Sequence, residues 1–395
     1  TGMTSRPTQI TISSAFDGGN IEVSGVSGDS VDLLIRDDPF TSREGTAFKQ
    51  WFYFRSSGCK DIDCVYTITN AGECSYPDAW VDYNVCASYD RKYWFRVGTS
   101  YSGGKLKWSL RTSNDQVYFA YFAPYSQESV LNLLTRCSMS PRAQVRTIGS
   151  TLDGRSLDLV EFGTGPLHVW ATARQHPGET QGSWWMEGFI SRLLDPADGL
   201  STKILQDATV HVVPCMNPDG CFRGHLRTNA LGYNLNREWR DTDNYQAPSL
   251  ERSPEVFHVL REIRATGCDM MMDIHGDETL PHNFLSGSEG VPKWQNGPRL
   301  KRLQDGFLVA LMQATPDMQN TVKYPINSPN GANLSVGSKY IAETFDCLSF
   351  TIEMPFKDTA DHPHPVQGWC PERAMNFGAA FVNAVAAMLP HLRDK

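Results

Sequence analysis

The chain has 395 residues, of which 36 are basic and 44 acidic, so its formal net charge is −8. Apolar residues make up 40% and charged residues 20% of the sequence, which excludes a disordered, collagenous or coiled-coil chain and indicates two or three globular domains. The acidic balance argues against a nucleic-acid partner, and because no apolar run approaches the ~18 residues that span a bilayer, we expect no membrane partner.

The ten cysteines are scattered and show no paired CxxC spacing. A chain of this length does not need disulfides for stability, so we predict reduced thiols and a cytoplasmic location. The residues ahead of Met3 do not resemble an export signal, and we expect synthesis to start at that methionine. One alternative stays open for the four cysteines from Cys59 to Cys86, a disulfide-bonded or metal-binding cluster.

The first third of the chain predicts an all-β domain. Short runs of β-forming residues are separated by Gly, Ser, Asn and Asp, and strands at this spacing are typical of a sandwich. The predicted strands are Thr8–Ser14, Asn20–Val26, Trp51–Arg55, Cys64–Asn70, Lys92–Val97, Lys105–Ser109 and Gln116–Pro124. Helical periodicity begins at Gln127, so we expect residues 1–125 to form the β-sandwich domain.

Residues 126–395 predict an α/β domain, because β runs alternate with helical patterns. The predicted strands are Leu157–Gly163, Leu167–Ala173, Thr209–Met216, Asp269–Ile274 and Ser349–Met354, and the predicted helices are Gln127–Cys137, Glu179–Leu194, Pro254–Ala265 and Glu372–Leu392. Several of the strands are apolar throughout, which indicates a mixed or parallel central sheet covered by helices on both faces.

Two strand ends carry residues that bind metals. His176 and Glu179 follow the strand that ends at Ala173, where α/β proteins usually place their sites. His275 follows a second apolar strand, and we expect Gly276 to permit a tight turn there. Two imidazoles and one carboxylate would leave the fourth coordination position of a zinc ion open for water, as in catalytic zinc sites. The alternative for His176 and Glu179 alone is a helix-capping acid beside an incidental histidine.

Three further residues suggest hydrolytic chemistry. Arg227 and Arg237 lie between the two metal-binding motifs, and a guanidinium near a metal indicates an anionic ligand or transition state. Glu353 is the one acid in the apolar run SFTIEMP. If the side chain of Glu353 faces the metal, it would act as general base and then as general acid. The alternative is that the strand is half-exposed and that Glu353 points into solvent.

The motifs HPGE, NPDG, LNREW, the histidine after an apolar strand and FTIE occur in this order and resemble the zinc metallocarboxypeptidase family. The resemblance covers residues from about 140 to 390. The motifs QWFYFR and YFAYFAP are similar to the sandwich domain of the cytosolic carboxypeptidase branch, which includes deglutamylases. We therefore expect a zinc carboxypeptidase-like fold, with residues 126–395 as the catalytic domain.

The resemblance implies a role for each site residue. One zinc ion per chain would be held by His176, Glu179 and His275. Glu353 would activate the bound water, and Arg227 would stabilise the tetrahedral oxyanion. Asn236 and Arg237 match the family's pair that receives the terminal carboxylate of a peptide.

The side-chain preference depends on residues after Gly337-Ser338, where the family places a specificity determinant. Lys339 follows that turn, and a cation there would favour an acidic C-terminal residue. The alternative is a solvated surface lysine. A tyrosine contacts substrate in digestive relatives, and between Tyr324 and Tyr340 we favour Tyr340 for this contact.

The leading hypothesis is a zinc-dependent carboxypeptidase that acts on a peptide or protein C-terminus. Two alternatives remain from the sequence: a zinc amidohydrolase for small N-acyl amino acids, and a catalytically silent protein that binds a partner through its sandwich domain. The sequence does not fix an oligomeric state.

Overall fold

The computed structural model describes residues 9–41 and 47–394, so Met3 and Thr8 of the sequence predictions lie outside the described residues. Two β-sheets form the N-terminal region, and a third sheet with its helices forms the remainder. The predicted fold class, a β-sandwich followed by an α/β domain with a mixed sheet, is confirmed. None of the helices in the described ranges combines the length and apolar character that a membrane span requires.

Ten strands form the sandwich: β1 (Thr11–Ser13), β2 (Glu22–Ser27), β3 (Ser30–Leu34), β4 (Tyr53–Ser57), β5 (Asp63–Ile68), β6 (Val85–Ser88), β7 (Phe95–Val97), β8 (Thr99–Ser102), β9 (Lys105–Arg111) and β10 (Gln116–Ala120). One sheet has the order β1-β4-β10-β6-β7 and the other the order β2-β3-β5-β9-β8.

Aromatic side chains join the two sheets of the sandwich. Residues alternate between buried and exposed along β5 and β9, as expected when one face of a sheet lies on a core. The ring of Phe119 lies 5.5 Å from Phe54 in its own sheet, and 4.7 Å from Tyr66 and 5.5 Å from Trp108 in the other. These rings are buried, so the aromatic motifs of the sequence fill the core of the sandwich.

The C-terminal region is built from seven strands: β11 (Ala143–Ser150), β12 (Ser156–Phe162), β13 (Leu167–Ala173), β14 (Ala208–Val213), β15 (Met270–Asp277), β16 (Phe284–Ser286) and β17 (Leu348–Pro355). Its helices are α1 (Gln127–Ser138), α2 (Gln181–Leu194), α3 (Gly199–Asp207), α4 (Pro218–Arg223), α5 (Pro254–Thr266), α6 (Arg299–Ala314), α7 (Gly337–Phe345) and α8 (Pro371–Met388).

Helices cover both faces of this sheet. Val169 of β13 belongs to the core shared with α2, α6 and α8, whereas its neighbour Trp170 belongs to a second core with α5 and α7. Helices α2 and α8 pack closely because glycines lie at their contact: a Cβ on Gly378 would stand 2.1 Å from the carbonyl oxygen of Trp185.

The strand order β11-β12-β14-β13-β15-β17-β16 brings four parallel strands, β14, β13, β15 and β17, side by side in the middle of the sheet. In this register Ala173 of β13 lies opposite Ile274 of β15, and His275 lies opposite Glu353 of β17. The carboxyl ends of parallel strands meet at one edge, so residues that follow or terminate these strands share one site.

Candidate active site

His176 and Glu179 lie in a turn that follows β13. Helix α2 begins at Gln181, so the two residues precede the helix instead of occupying its first turn. The backbone N–H of Gly178 donates a hydrogen bond to the carbonyl of Leu226, 2.9 Å away. This bond ties the turn to the loop that carries Arg227.

His275 lies within β15, because that strand continues to Asp277. The expectation that His275 follows the strand and that Gly276 makes a tight turn is therefore wrong. Gly276 serves close packing instead, since a Cβ there would lie 2.9 Å from the side chain of Gln181. Its backbone N–H also donates to Glu179 Oε2 at 3.1 Å.

The three predicted ligand residues converge on one point. Their ligand atoms all lie within 4.8 Å of one another, and the residues are buried. Nδ1 of His176 is 2.7 Å from Glu179 Oε1, and Nδ1 of His275 is 2.8 Å from Glu179 Oε2. The two Nδ1 atoms are 3.2 Å apart. No other cluster of three such residues with this spacing occurs in the described ranges.

The outer nitrogen of each imidazole faces an oxygen acceptor. Nε2 of His275 lies 2.8 Å from Asp273 Oδ2, and Nε2 of His176 lies 3.0 Å from Asn234 Oδ1. Protons on these outer nitrogens leave both Nδ1 lone pairs directed at the same point as the Glu179 carboxylate. The arrangement fits a metal ion with N and O ligands, such as zinc.

Burial and charge set the protonation of this cluster. Burial lowers the pKa of His176 to about 4, which keeps its imidazole neutral and able to bind a metal. Burial acts to raise the pKa of Glu179, but the imidazoles of His176 and His275 outweigh it, so that pKa lies well below its usual range. The carboxyl is therefore ionised, as a zinc ligand must be.

Glu353 lies beside the cluster on β17. Its side chain is buried and lines a cavity of about 490 Å³ that also contains the three ligand residues. Burial raises the pKa of Glu353 well above its usual value. Among the described residues Oε2 of Glu353 has no hydrogen-bond partner. A buried carboxyl oxygen without a partner is costly, and it marks a place where a substrate or water group belongs.

The three candidate anion-binding residues line the same cavity. Arg227 lies on the loop after α4, with its guanidinium carbon 5.5 Å from the ring centre of Phe48. Asn236 and Arg237 lie in a single turn of 3-10 helix, where the Asn236 Oδ1 accepts a hydrogen bond from the Gly337 N–H at 2.9 Å. The cavity therefore places three polar or cationic groups around the ligand cluster.

Lys339 lines the cavity from α7 and is only 8% exposed. Burial lowers the pKa of its ammonium group to about 8. That group forms no hydrogen bond or ion pair with any residue of the described ranges. The alternative of a solvated surface lysine is therefore wrong.

Tyr340 does not line the cavity, and the expectation that it contacts substrate needs correction. Its ring is buried in the second core with α5, and its hydroxyl accepts a hydrogen bond from Arg264 at 2.9 Å. Consecutive helix residues point about 100° apart, so Lys339 and Tyr340 of α7 cannot both face the cavity. Tyr324 does line it, with its hydroxyl 2.5 Å from Asp277 Oδ2.

Several site residues were not predicted from the sequence. Asp273 and Asn234 hold the outer nitrogens of the two imidazoles, and Tyr76 of the sandwich lines the cavity. The sequence could have indicated Asp273, because it precedes His275 by two residues on a strand and so lies on the same face of the sheet. Asn234 and Tyr76 carried no such signal.

Residues 12–122 match the cytosolic carboxypeptidase N-terminal domain and residues 131–374 match the zinc carboxypeptidase family. A metallo-carboxypeptidase structure from Burkholderia cenocepacia is 41% identical, with a TM-score of 0.90, and covers 97% of this chain and 99% of that chain.

Two further relatives extend the comparison. A Pseudomonas aeruginosa metallo-carboxypeptidase, solved in complex with (2-guanidinoethylmercapto)succinic acid, is 39% identical with a TM-score of 0.92 and covers 97% of this chain and 100% of that chain. Cytosolic carboxypeptidase 6 of Caenorhabditis elegans is 24% identical over 87% of this chain and 78% of its own length.

The fold and the buried His-Glu-His cluster are those of a metal-dependent hydrolase. The chain belongs to the zinc carboxypeptidase family, in the branch whose members carry a cytosolic carboxypeptidase N-terminal domain. The resemblance found in the sequence is thereby confirmed, and the chain is a metallocarboxypeptidase with peptide substrates. A catalytically silent binding protein is not supported.

Proposed function

We propose that the chain removes C-terminal residues from peptides with one zinc ion held by His176, Glu179 and His275. The observation that carries this proposal is the convergence of two Nδ1 lone pairs and one carboxylate beside the unpaired Oε2 of Glu353. Zinc in such a site lowers the pKa of a coordinated water to about 7 and polarises the scissile carbonyl.

Glu353 takes a proton from the attacking water and delivers it to the leaving amine. Burial raises the pKa of Glu353, and this makes its ionised carboxylate a stronger proton acceptor than an exposed one. Arg227 stabilises the negative charge that develops on the carbonyl oxygen, because its guanidinium is already in place beside the reacting group. Both assignments agree with the placement of these residues along the cavity wall.

Asn236 and Arg237 receive the terminal carboxylate of the peptide. A guanidinium fork matches a carboxylate in two parallel hydrogen bonds, and only a chain end offers that carboxylate at this position. Arg237 donates one of its hydrogen bonds to the Asn236 carbonyl at 2.8 Å, which holds the fork in place. The pair therefore selects exopeptidase cleavage.

Lys339 gives the pocket a preference for an acidic last residue. The Lys339 ammonium is buried, and the attraction to Glu289 only partly offsets the cost of that burial. The carboxylate of a C-terminal Glu or Asp would compensate the rest. The Pseudomonas aeruginosa relative was solved with (2-guanidinoethylmercapto)succinic acid, which carries two carboxyl groups and one guanidino group. We also propose a cytoplasmic location, which the ten buried free thiols and the name of the Caenorhabditis elegans relative support.

The test is a panel of synthetic peptides that differ only in the last residue, with the released amino acid identified. Release of Glu or Asp at the highest kcat/KM would support the proposal. Because Asp277 and Glu278 also line the cavity, peptides that end in Lys or Arg belong in the panel. A preference for basic or bulky apolar ends would remove the role of Lys339, and turnover of N-acyl amino acids alone would indicate an amidohydrolase.

A further inference from the structure

A carboxylate of the sandwich domain binds the backbone of the loop that carries Arg227. Asp38 is 3% exposed. Its Oδ1 accepts a hydrogen bond from the Leu226 N–H at 2.6 Å, and its Oδ2 accepts from the N–H groups of Arg227 at 2.8 Å and Thr228 at 3.0 Å. The Thr228 hydroxyl adds a fourth bond at 3.1 Å. Three successive backbone N–H groups around one anion form a strong and directional site.

The same segment of the sandwich also contacts the side chain of Arg227. The guanidinium carbon lies 5.5 Å from the ring centre of Phe48, within the range of a cation–π interaction. The Asp38 N–H donates to the Phe48 carbonyl at 2.8 Å, so the two contacts belong to one connected unit. The sandwich therefore holds both the backbone and the side chain of this arginine.

The loop that carries Arg227 also contacts the turn that contains His176 and Glu179. The Leu226 carbonyl accepts from Gly178, in the turn between His176 and Glu179, at 2.9 Å. Gly224, where the loop leaves α4, has φ of 73° and no room for a side chain, because a Cβ would lie 2.5 Å from the carbonyl oxygen of Gly19. The loop thus lies between the metal-ligand turn and the sandwich, with contacts to both.

We propose that Asp38 is a positioning residue for the oxyanion arginine, so that the sandwich domain completes the active site of the catalytic domain. This inference rests on the proposed role of Arg227. A charge-stabilising donor is effective only when it is held in place before the reaction, and a misplacement of about 1 Å can reduce the rate about 100-fold. Asp38 acts through the loop and does not itself touch the reacting atoms.

The first experiment compares Asp38→Asn with a neighbouring control, Asp37→Asn. The amide keeps the shape of Asp38 but turns one acceptor oxygen into a donor that faces backbone N–H groups. Asp37 is half-exposed and pairs with Lys49 at 3.1 Å, away from the loop. We expect Asp38→Asn to lower kcat about tenfold or more, with KM changed less than about threefold and zinc content unchanged. Asp37→Asn keeps the original kcat.

The second experiment is a double-mutant cycle with Arg227→Ala. If Asp38 acts through Arg227, Asp38→Asn has no further effect on kcat in the Arg227→Ala background. An equal loss of kcat in both backgrounds, or no loss in the original background, would overturn the inference. An Arg227→Ala protein with unchanged kcat would instead refute the proposed role of Arg227, so the two failures are distinguishable.

A milder variant decides the matter if Asp38→Asn does not fold. Phe48→Leu keeps an apolar side chain under the loop but removes the ring beside the guanidinium. We expect kcat to fall about threefold, in keeping with a cation–π contact of about 0.5–1 kcal/mol, and KM to stay unchanged. A kcat equal to that of the unmodified protein would overturn the inference.

Discussion

The sandwich and the central sheet use polar residues in different ways. In the sandwich the two sheets meet through buried aromatic rings such as Tyr66 and Phe119, and function lies outside this core. In the catalytic sheet the parallel strands end in buried polar residues, among them His275 and Glu353. The first region is stabilised by packing, whereas the second has polar groups that stay costly until a ligand compensates them.

The two regions nevertheless meet at the site. Asp38 binds the loop of Arg227, and Tyr76 lines the cavity. The sandwich therefore contributes to the site through residues outside its strands, such as Asp38 and Tyr76, and not through its aromatic core. Variants of the two regions should separate catalysis from stability.

The largest effect is expected for Glu353→Gln. The amide keeps the size of the side chain but cannot accept and return a proton, so kcat should fall by about 10²–10⁴ while the protein retains zinc. The measurement is kcat together with zinc content by elemental analysis. Glu372→Gln, an exposed position at the start of α8, is the control and should leave kcat unchanged. A Glu353→Gln protein with normal turnover would remove this residue from the mechanism.

The next effect is expected for Asp273→Asn. The Asp273 carboxylate accepts hydrogen bonds from His275 Nε2, from Gln175 Nε2 at 2.6 Å and from Thr172 Oγ1 at 2.9 Å. Loss of its charge makes the imidazole a weaker ligand, so zinc affinity should fall about 10–100-fold. Competition with a chelator measures the affinity. Asp305→Asn, exposed on α6, provides the control, and equal affinities in the two variants would contradict the assignment.

Lys339→Met should change selectivity more than rate. Methionine fills similar volume without charge, so kcat/KM for peptides that end in Glu should fall about tenfold or more relative to peptides that end in Leu. Lys301→Met on the surface of α6 is the matched control and should keep the preference. Unchanged selectivity in Lys339→Met would refute the specificity role.

The preference for acidic ends should depend on pH through the charge of Lys339. Burial lowers the pKa of Lys339 to about 8, so its ammonium is charged below that pH and neutral above it. The preference for Glu over Leu ends should therefore be full near pH 7 and should decline as the pH rises through 8. Ratios of kcat/KM measured from pH 6.5 to 9.5 test this, and a ratio that stays constant in this range would contradict it.

The smallest effect on catalysis is expected in the core of the sandwich. Phe119→Leu leaves a void among the aromatic rings, which should lower the free energy of unfolding by about 1–3 kcal/mol. Because the ring of Phe119 packs against Phe54, Tyr66 and Trp108 of the sandwich, kcat at a temperature where the variant is folded should stay unchanged. Denaturant unfolding and kcat together measure both outcomes. A large loss of kcat would mean that the core also shapes the site.

The sequence predicted the fold where periodicity was strong. Strand β13 has the predicted bounds, Leu167–Ala173, because it is apolar throughout and followed by a polar turn. Helix α6 (Arg299–Ala314) was missed, although one face of it is buried. Strand β11 was missed because an edge strand with exposed residues has no clear alternation.

The cluster of His176, Glu179 and His275 was predictable because a catalytic zinc site needs a few residue types that rarely coincide near strand ends. His176 and His275 are 99 positions apart, and only the shared sheet brings them together. Asp38 was not predictable, since an acid near a proline in a loop is ordinary in sequence. Its importance arises from a contact across 189 positions with the backbone of Arg227, which no local pattern records.

X-ray absorption at the zinc edge of the purified protein tests the central claim most directly. We expect one zinc per chain, surrounded by two imidazole nitrogens and oxygen ligands at about 2.0–2.2 Å, and the imidazole signal should halve in His275→Ala. Zinc bound by sulfur at about 2.3 Å, or an imidazole signal that is unchanged in His275→Ala, would contradict it.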